Sequence, residues 1–216
     1  MNWGGLRELA AGAITTVWLS AIGIAVGVPL GLLLALLRVW RVPILATLAG
    51  MYVSVLRGTP LVTLALLIFF GIPPVLGVEL DARVAAVLTL AVNTSAFHSE
   101  IWRASLVDFP VDQMEAARAA GMTRWLTFRR IVLPQAWRAS LPGMVNEMTF
   151  LVKASPAIAV IGVVDLTRAA HRISAYTYAP LPPFISATII YMIVVVFLVF
   201  GQRRIERHIV QKYGLL

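Results

Sequence analysis

The side chains best able to do chemistry in this chain are Glu147 and Lys153, set in one apolar stretch, and Asn93, Ser95 and His98, set in another. Charged and hydrogen-bonding groups in apolar surroundings are costly unless a partner meets them, so they mark a ligand contact, an ion path or an interhelical pairing. None of the usual arrangements for covalent or hydrolytic work accompanies them. The chain has no Gly-x-x-x-x-Gly-Lys-Ser/Thr phosphate loop, no His-Glu-x-x-His and no Gly-x-Ser-x-Gly, the common means of hydrolysing ATP, a peptide or an ester. With no cysteine there is neither a disulfide framework nor a thiolate metal site. Energy for any work must therefore come from elsewhere.

A second group of residues is suited to contact rather than to bond-making. Glu115-Ala116-Ala117-Arg118-Ala119-Ala120-Gly121, followed by Ile131-Val132-Leu133-Pro134, forms a polar island between long apolar segments. Pro110 stops what precedes it, and Asp112 stands three residues before Glu115, which predicts a capping box and a helix over residues 112–121. Alanines give high helix propensity with a low-relief face, and Gly121 suits the left-handed backbone that ends a helix. A short, smooth helix of this kind fits a groove on a partner. Asp112, Glu115, Ala116, Ala117, Ala120 and Gly121 are the candidate docking residues, the plainer alternative being a solvated interhelical loop. The combination resembles the cytoplasmic coupling motif of bacterial ABC importer permeases. That resemblance implies separate ATP-binding subunits whose closure on ATP moves the helix, with no cofactor held by this chain.

The elements that must position these residues are membrane helices. With 60% hydrophobic and 13% charged residues and a mean hydropathy of +0.87, the chain is too apolar for a water-soluble globule. The formal charge of +8 does not point to nucleic acid, because the cations punctuate segments that belong in lipid. A helix needs about 20 residues to cross the hydrocarbon core. Stretches at 13–37, 46–72, 82–102, 140–164 and 183–201 meet that test, and the apolar start is too long for a signal-peptide core. Arg38, Arg41, Arg57, Arg103, Arg118, Arg124, Arg129, Arg130, Arg138, Arg203, Arg204, Arg207 and Lys212 fall on one side of them. Arg7, Arg83, Arg168 and Arg172 fall on the other. The positive-inside rule then puts the amino terminus outside, and the polar island and carboxyl terminus in the cytoplasm. The expected fold is an all-α transmembrane bundle of five helices with a cytoplasmic coupling helix between the third and fourth spans, forming one membrane domain over residues 1–216.

Two spans carry interruptions. Arg57-Gly58-Thr59-Pro60 breaks the second, and Asn146, Glu147 and Lys153 lie in the fourth, so both are expected to line a cavity or face protein. In the first span Gly23, Gly27 and Gly31 recur every four residues, a pattern for close helix packing. Glu100 and Arg103, one turn apart, are expected to pair. Pro180, Pro182 and Pro183 predict a stiff, non-helical entry to the last span, beside Tyr176 and Tyr178. The basic residues after that span suit anionic headgroups.

Arg57-Gly58-Thr59-Pro60-Leu61, Glu100-Ile101-Trp102-Arg103, Gln113, Leu133-Pro134-Gln135, Leu141-Pro142 and Asn146 together resemble the polar amino acid permeases, the family of histidine, glutamine, arginine and opine importers. The resemblance implies a permease that pairs with a second, identical or sister permease chain, binds two ATP-binding subunits and receives substrate from an extracytoplasmic solute-binding protein in the bacterial plasma membrane. One departure bears on the ligand. Where the family usually reads Leu-Lys-Asp-Thr-Ser-Leu, this chain reads Val152-Lys153-Ala154-Ser155-Pro156-Ala157, losing a carboxylate. Glu147 lies seven residues before Ala154, on nearly the same helical face, and is the first candidate for a cationic group of the substrate. Its structural alternative is an ion pair with Lys153 or with another subunit. Asn93, Ser95, His98 and Ser155 complete the candidate substrate set, with His98 by itself reading first as an interhelical histidine and second as a ligand contact. Other readings of the whole are an ABC permease for another small solute, a gradient-driven carrier or channel, or a scaffold.

Overall fold

A computed structural model describes residues 3–213, with side chains at 202, 205, 206 and 208–213 outside the description. The side chain of Lys212, one of the expected headgroup ligands, therefore lies outside it. The described residues are helical throughout, without strands. Three helices are long and apolar enough to cross a membrane: Trp3–Val39, Arg124–Ile161 with its irregular turns, and Leu181–Gly201. The pair Leu45–Gly58 and Leu61–Leu76 makes a fourth if counted as one broken span, bent by 113°.

Helix α1 (Trp3–Val39) and helix α5 (Ala82–Val107) form the spine. A Cβ added at Gly23 would stand 2.6 Å from the Cβ of Leu90, at Gly27 2.5 Å from that of Thr94, and at Gly31 2.9 Å from that of His98. Both numbers in each pair advance by four, so the helices run parallel, with glycines admitting the neighbouring helix where any side chain would collide. The expected packing role of these glycines is thus met. Helix α5 itself is not apolar enough to stand alone in lipid. Asn93, Thr94, Ser95, His98 and Ser99 are all buried in it, because α1 and its other neighbours wrap them.

The bend in the second stretch has a local cause. Helix α2 (Leu45–Gly58) ends at Thr59, which Pro60 holds in an extended conformation (φ −95°, ψ 127°). Helix α3 (Leu61–Leu66) then starts in a new direction and continues through a π turn, Leu67–Gly71, into helix α4 (Ile72–Leu76). Helix α6 (Val111–Ala119) and helix α7 (Arg124–Thr127) follow α5, and a second π turn, Phe128–Val132, leads into helix α8 (Leu133–Ala154). Ser140 donates to Ser105 at 2.8 Å, and the site of Gly143 faces Ile101, so α8 runs antiparallel to α5. A 3-10 segment, Ser155–Ile161, closes α8.

At the far end Asp165 caps helix α9 (Leu166–Thr177), which buries Leu166, Ala169, Ala170 and Ile173. One sequence expectation is corrected here: Pro182 and Pro183 do not keep the chain out of a helix. Helix α10 (Leu181–Tyr213) begins at Leu181, and Pro182 and Pro183 occupy its first turn, where a missing N–H leaves no bond unmade.

Candidate functional site

At one end of the bundle α6 projects from the α5–α8 junction. Its start differs from expectation. Pro110 (φ −58°, ψ 123°) is the N-cap, with no side-chain cap bond, so the helix opens at Val111 and the Asp112–Glu115 capping box does not form. Asp112 instead lies in the first turn, where a negative charge meets the positive end of the helix dipole. The stop is as expected: Gly121 has φ +76°. The Met122 N–H donates to the Ala117 carbonyl at 3.0 Å and the Gly121 N–H to that of Arg118 at 2.9 Å, the Schellman pattern. Ala117 is the buried residue of the helix. Asp112, Glu115, Ala116, Ala120 and Gly121 are exposed, which leaves a low, contiguous outer face.

Below α6 sits an ion triad. Glu100 accepts from Arg38 of α1 at 2.8 Å and from Arg103 one turn along its own helix. The Glu100–Arg103 pair is the expected one; Arg38 is the addition, which the sequence could not place because it is 62 residues away. Gln135 donates to Gln113 at 2.8 Å and ties the start of α8 to α6.

Midway along the bundle a groove of about 410 Å³ opens between α5, α8 and the break after α2. Asn93, Glu147, Phe97, Phe150, Ala154 and Thr59 line it. Two cations flank it: the Arg57 guanidinium lies 5.4 Å from the Phe97 ring centre and the Lys153 ammonium 5.7 Å from that of Phe150. Glu147 and Lys153 do not form an ion pair with each other; the ammonium rests on an aromatic face instead. The groove thus joins an acid, an amide and two ring-borne cations around an open space.

The remaining sequence candidates lie apart from that space. The Ser95 hydroxyl is fully buried, 2.7 Å from the Tyr52 hydroxyl and 2.8 Å from the Val92 carbonyl it donates to. His98 is 1% exposed, with Nδ1 3.0 Å from the Thr94 carbonyl, and packs beneath Gly31. Ser155 is buried and donates to the Val152 carbonyl at 2.8 Å. Asn93 and Glu147 are brought together; Ser95 bonds across to Tyr52 of α2, while His98 and Ser155 are buried against carbonyls of their own helical segments. Among the described residues no group of three His, Asp or Glu side chains gathers as a metal site.

At the opposite end α1, α9 and α10 meet around Asp165, which is fully buried. Its carboxylate accepts from the Arg168 N–H at 2.8 Å and from the Tyr191 hydroxyl at 3.4 Å. The Leu166 N–H donates to the Thr16 hydroxyl at 3.1 Å. Burial pushes the Asp165 carboxyl above the ordinary carboxylate value, against the pull of the Arg168 and Thr167 amides. Sequence reading missed this joint, although Asp165 before Leu166, Ala169, Ala170 and Ile173 carries the signal of a capped amphipathic helix.

Comparison with known proteins follows the same geometry. The family described as "Binding-protein-dependent transport system inner membrane component" matches residues 27–211. The arginine transport system permease protein ArtQ of Bacillus subtilis (strain 168) is 36% identical over 196 residues, covering 91% of this chain and 90% of that one. The glutamine transport system permease protein GlnP of Escherichia coli (strain K12) is 34% identical over 206 residues, covering 95% and 94%. A chain in the crystal structure of an amino acid ABC transporter with histidines superposes with a TM-score of 0.88 at 34% identity, covering 94% of each chain.

Proposed function

Because the chain belongs to the family of binding-protein-dependent transport system inner membrane components, we propose that it is the membrane-spanning subunit of an ATP-driven importer for a polar amino acid or related small zwitterion. It is a multi-pass protein of the bacterial plasma membrane. The substrate class rests on the arginine and glutamine permeases to which it is similar across nearly its whole length.

In this reading the chain crosses five times: α1, the bent α2–α4 segment, α5, α8 with its 3-10 extension, and α10. The amino terminus is outside, and Arg38, Arg103 and the α6–α7 region face the cytoplasm. The positive-inside rule supports that orientation, and the parallel course of α1 and α5 supports a return crossing between them. A binding protein delivers ligand to the Asp165 end. Two ATP-binding subunits receive the exposed face of α6, and a second permease chain completes the pathway. When the ATP-binding subunits close, they displace α6, and through the Gln113–Gln135 bond and the α5 terminus the groove changes the side to which it opens. Within the groove Glu147 meets the substrate ammonium and Asn93 supplies hydrogen bonds, while Arg57 and Lys153 supply cations for its carboxylate. The single observation carrying the reading is the exposed, Schellman-terminated α6 at the basic end of the bundle.

The test is uptake by the complex of permease, ATP-binding subunits and binding protein in proteoliposomes. Gly121→Asp is expected to abolish transport and the ligand-stimulated ATPase while the protein still inserts; Glu147→Gln is expected to lower uptake tenfold or more with ATPase subunits still bound, from loss of a charge-assisted contact of about 1.5–3 kcal/mol. Full uptake by Gly121→Asp would remove the coupling role, and uptake by the chain without ATPase subunits would replace the importer by a gradient-driven carrier.

A further inference from the structure

A second cavity, of about 240 Å³, lies between the end of α1 and helix α6, and its chemistry differs from that of the transport groove. Arg118 of α6 and Arg124 of α7 stand on its wall, Trp40 and Phe128 form its sides, and Leu106 and Val132 its floor. No acidic side chain lines it, and neither arginine makes an ion pair among the described residues. Two guanidinium groups above an apolar floor suit a ligand that is anionic at one end and greasy at the other.

The surroundings fix the depth of the cavity. Trp40 follows directly on the last residue of α1, and tryptophan at the end of an apolar helix sits at the headgroup level. The Phe128 ring lies 5.3 Å from Trp40, edge-on, and 5.9 Å from Trp125, stacked, so the three rings share that level. Trp40 is 53% and Trp125 63% exposed. Arg41, Arg129 and Arg130 are exposed on the same shelf and add positive charge around the opening.

We propose that this cavity binds the phosphate of an acidic phospholipid of the cytoplasmic leaflet, with Arg118 and Arg124 as its ligands and the Trp40–Phe128 wall against the glycerol and upper acyl carbons. The proposal rests on the cytoplasmic placement of α6. Since Met114 and Arg118 belong to α6 while Trp40 belongs to the end of α1, a lipid here joins the coupling helix to the membrane-embedded spine. Acidic lipid then steadies α6 and raises the fraction of ATP turnovers that move substrate.

The test uses the complete complex, with its ATP-binding subunits, in nanodiscs of phosphatidylcholine alone or with phosphatidylglycerol. Native mass spectrometry of the detergent-extracted complex is expected to show phosphatidylglycerol retained in preference to phosphatidylcholine. Removing one arginine near an anionic surface weakens binding roughly fivefold, so Arg124→Gln, and separately Arg118→Gln, should lower retention by that factor, with Arg124→Lys restoring it. Phosphatidylglycerol should raise the ligand-stimulated ATPase of the wild type and leave Arg124→Gln unmoved. Equal retention by wild type and both glutamine variants overturns the proposal. So does restoration of the rate in neutral nanodiscs by inorganic phosphate, which makes the site one for free phosphate. Loss of the ATP-binding subunits from Arg124→Gln would assign the cavity to subunit docking. ATP-driven uptake that is indifferent to lipid sinks this inference and leaves the importer reading standing, whereas absence of ATP-driven uptake in every lipid sinks the importer reading itself.

Discussion

The two ends of the bundle are built on opposite plans. At the Asp165 end, backbone meets backbone: a Cβ on Gly12 would lie 2.8 Å from the Asp165 carbonyl oxygen and 2.9 Å from the Leu166 Cα. Thr16, Asp165, Thr167 and Tyr191 then satisfy one another in that joint. At the α6 end the helix buries Ala117, shows most of its other residues to solvent and is tied across to α8 by the Gln113–Gln135 bond. Close-packed backbone has two states, assembled or broken, whereas a short helix seated by Ala117, the partly buried Met114 and an amide pair can shift without dismantling the core. A fixed joint opposite a loosely held helix is the arrangement that the importer proposed above requires, with motion delivered at one end and resisted at the other.

The sharpest way to break that comparison is at Gly12. Gly12→Val drives a branched side chain into the α9 backbone, where no flexible neighbour can yield, and overpacking of this kind costs about 1–3 kcal/mol or more. The expected outcome is loss of the monodisperse peak on size exclusion in detergent; a well-folded Gly12→Val protein would show that the joint tolerates separation. Asp165→Ala should act less drastically. It removes an N-cap worth about 1 kcal/mol, to be read as a lower midpoint of thermal unfolding in detergent. The pH dependence sharpens the point. Since burial raises the Asp165 carboxyl above its unfolded value, the folded protein holds that proton longer. Stability from this group is therefore full below the ordinary carboxylate pKa and declines as pH rises from there through the elevated value. Asp165→Asn, which keeps the cap, should flatten that decline. The smallest effect is expected from Gln113→Ala. An exposed amide pair changes stability by less than about 0.5 kcal/mol, so melting should stay put while ligand-stimulated ATPase falls. Unfolding by Gln113→Ala would mean that the α6 end is as structural as the joint.

Much of the bundle was legible in the chain because lipid imposes simple rules. Long apolar runs read directly as helices, Pro60 announced the 113° break, and Gly23, Gly27 and Gly31 announced a close helix contact, whose partner the structure shows to be α5. Local chemistry also settled the end of α6, since a glycine at position 121 is the residue that takes φ +76° without strain. The start of α6 was misjudged for an equally local reason. A capping box needs Asp112 outside the helix, but Pro110 already holds the entry conformation and starts the helix at Val111. Helix α9 was overlooked because twelve residues of mixed polarity fall below what a membrane-span criterion detects.

For the groove at Glu147, the types of residue were apparent and their grouping was not. Asn93, Ser95, His98, Glu147 and Ser155 all stand out as polar in apolar stretches, yet the groove takes Asn93 and Glu147, and the rest are buried against Tyr52 or backbone carbonyls. Which way a polar side chain on a central helix points depends on the azimuth at which its neighbours pack, and that is set for α5 by glycines 67 residues earlier on α1, Gly23 against Leu90, Gly27 against Thr94 and Gly31 against His98.

Composition and spacing by themselves determined that this chain is a helical membrane protein with a short polar helix, ended by Gly121, between its apolar segments. Hydropathy, proline and glycine act over one or two turns, and the chain states them outright. Tertiary structure alone decided that Arg38 closes on Glu100, that Arg57 settles on the Phe97 ring beside Glu147, and that Arg118 and Arg124 share a cavity with Trp40. Each of those meetings joins residues from separate helices, and long-range contacts follow from how whole helices pack, which no local run of residues encodes.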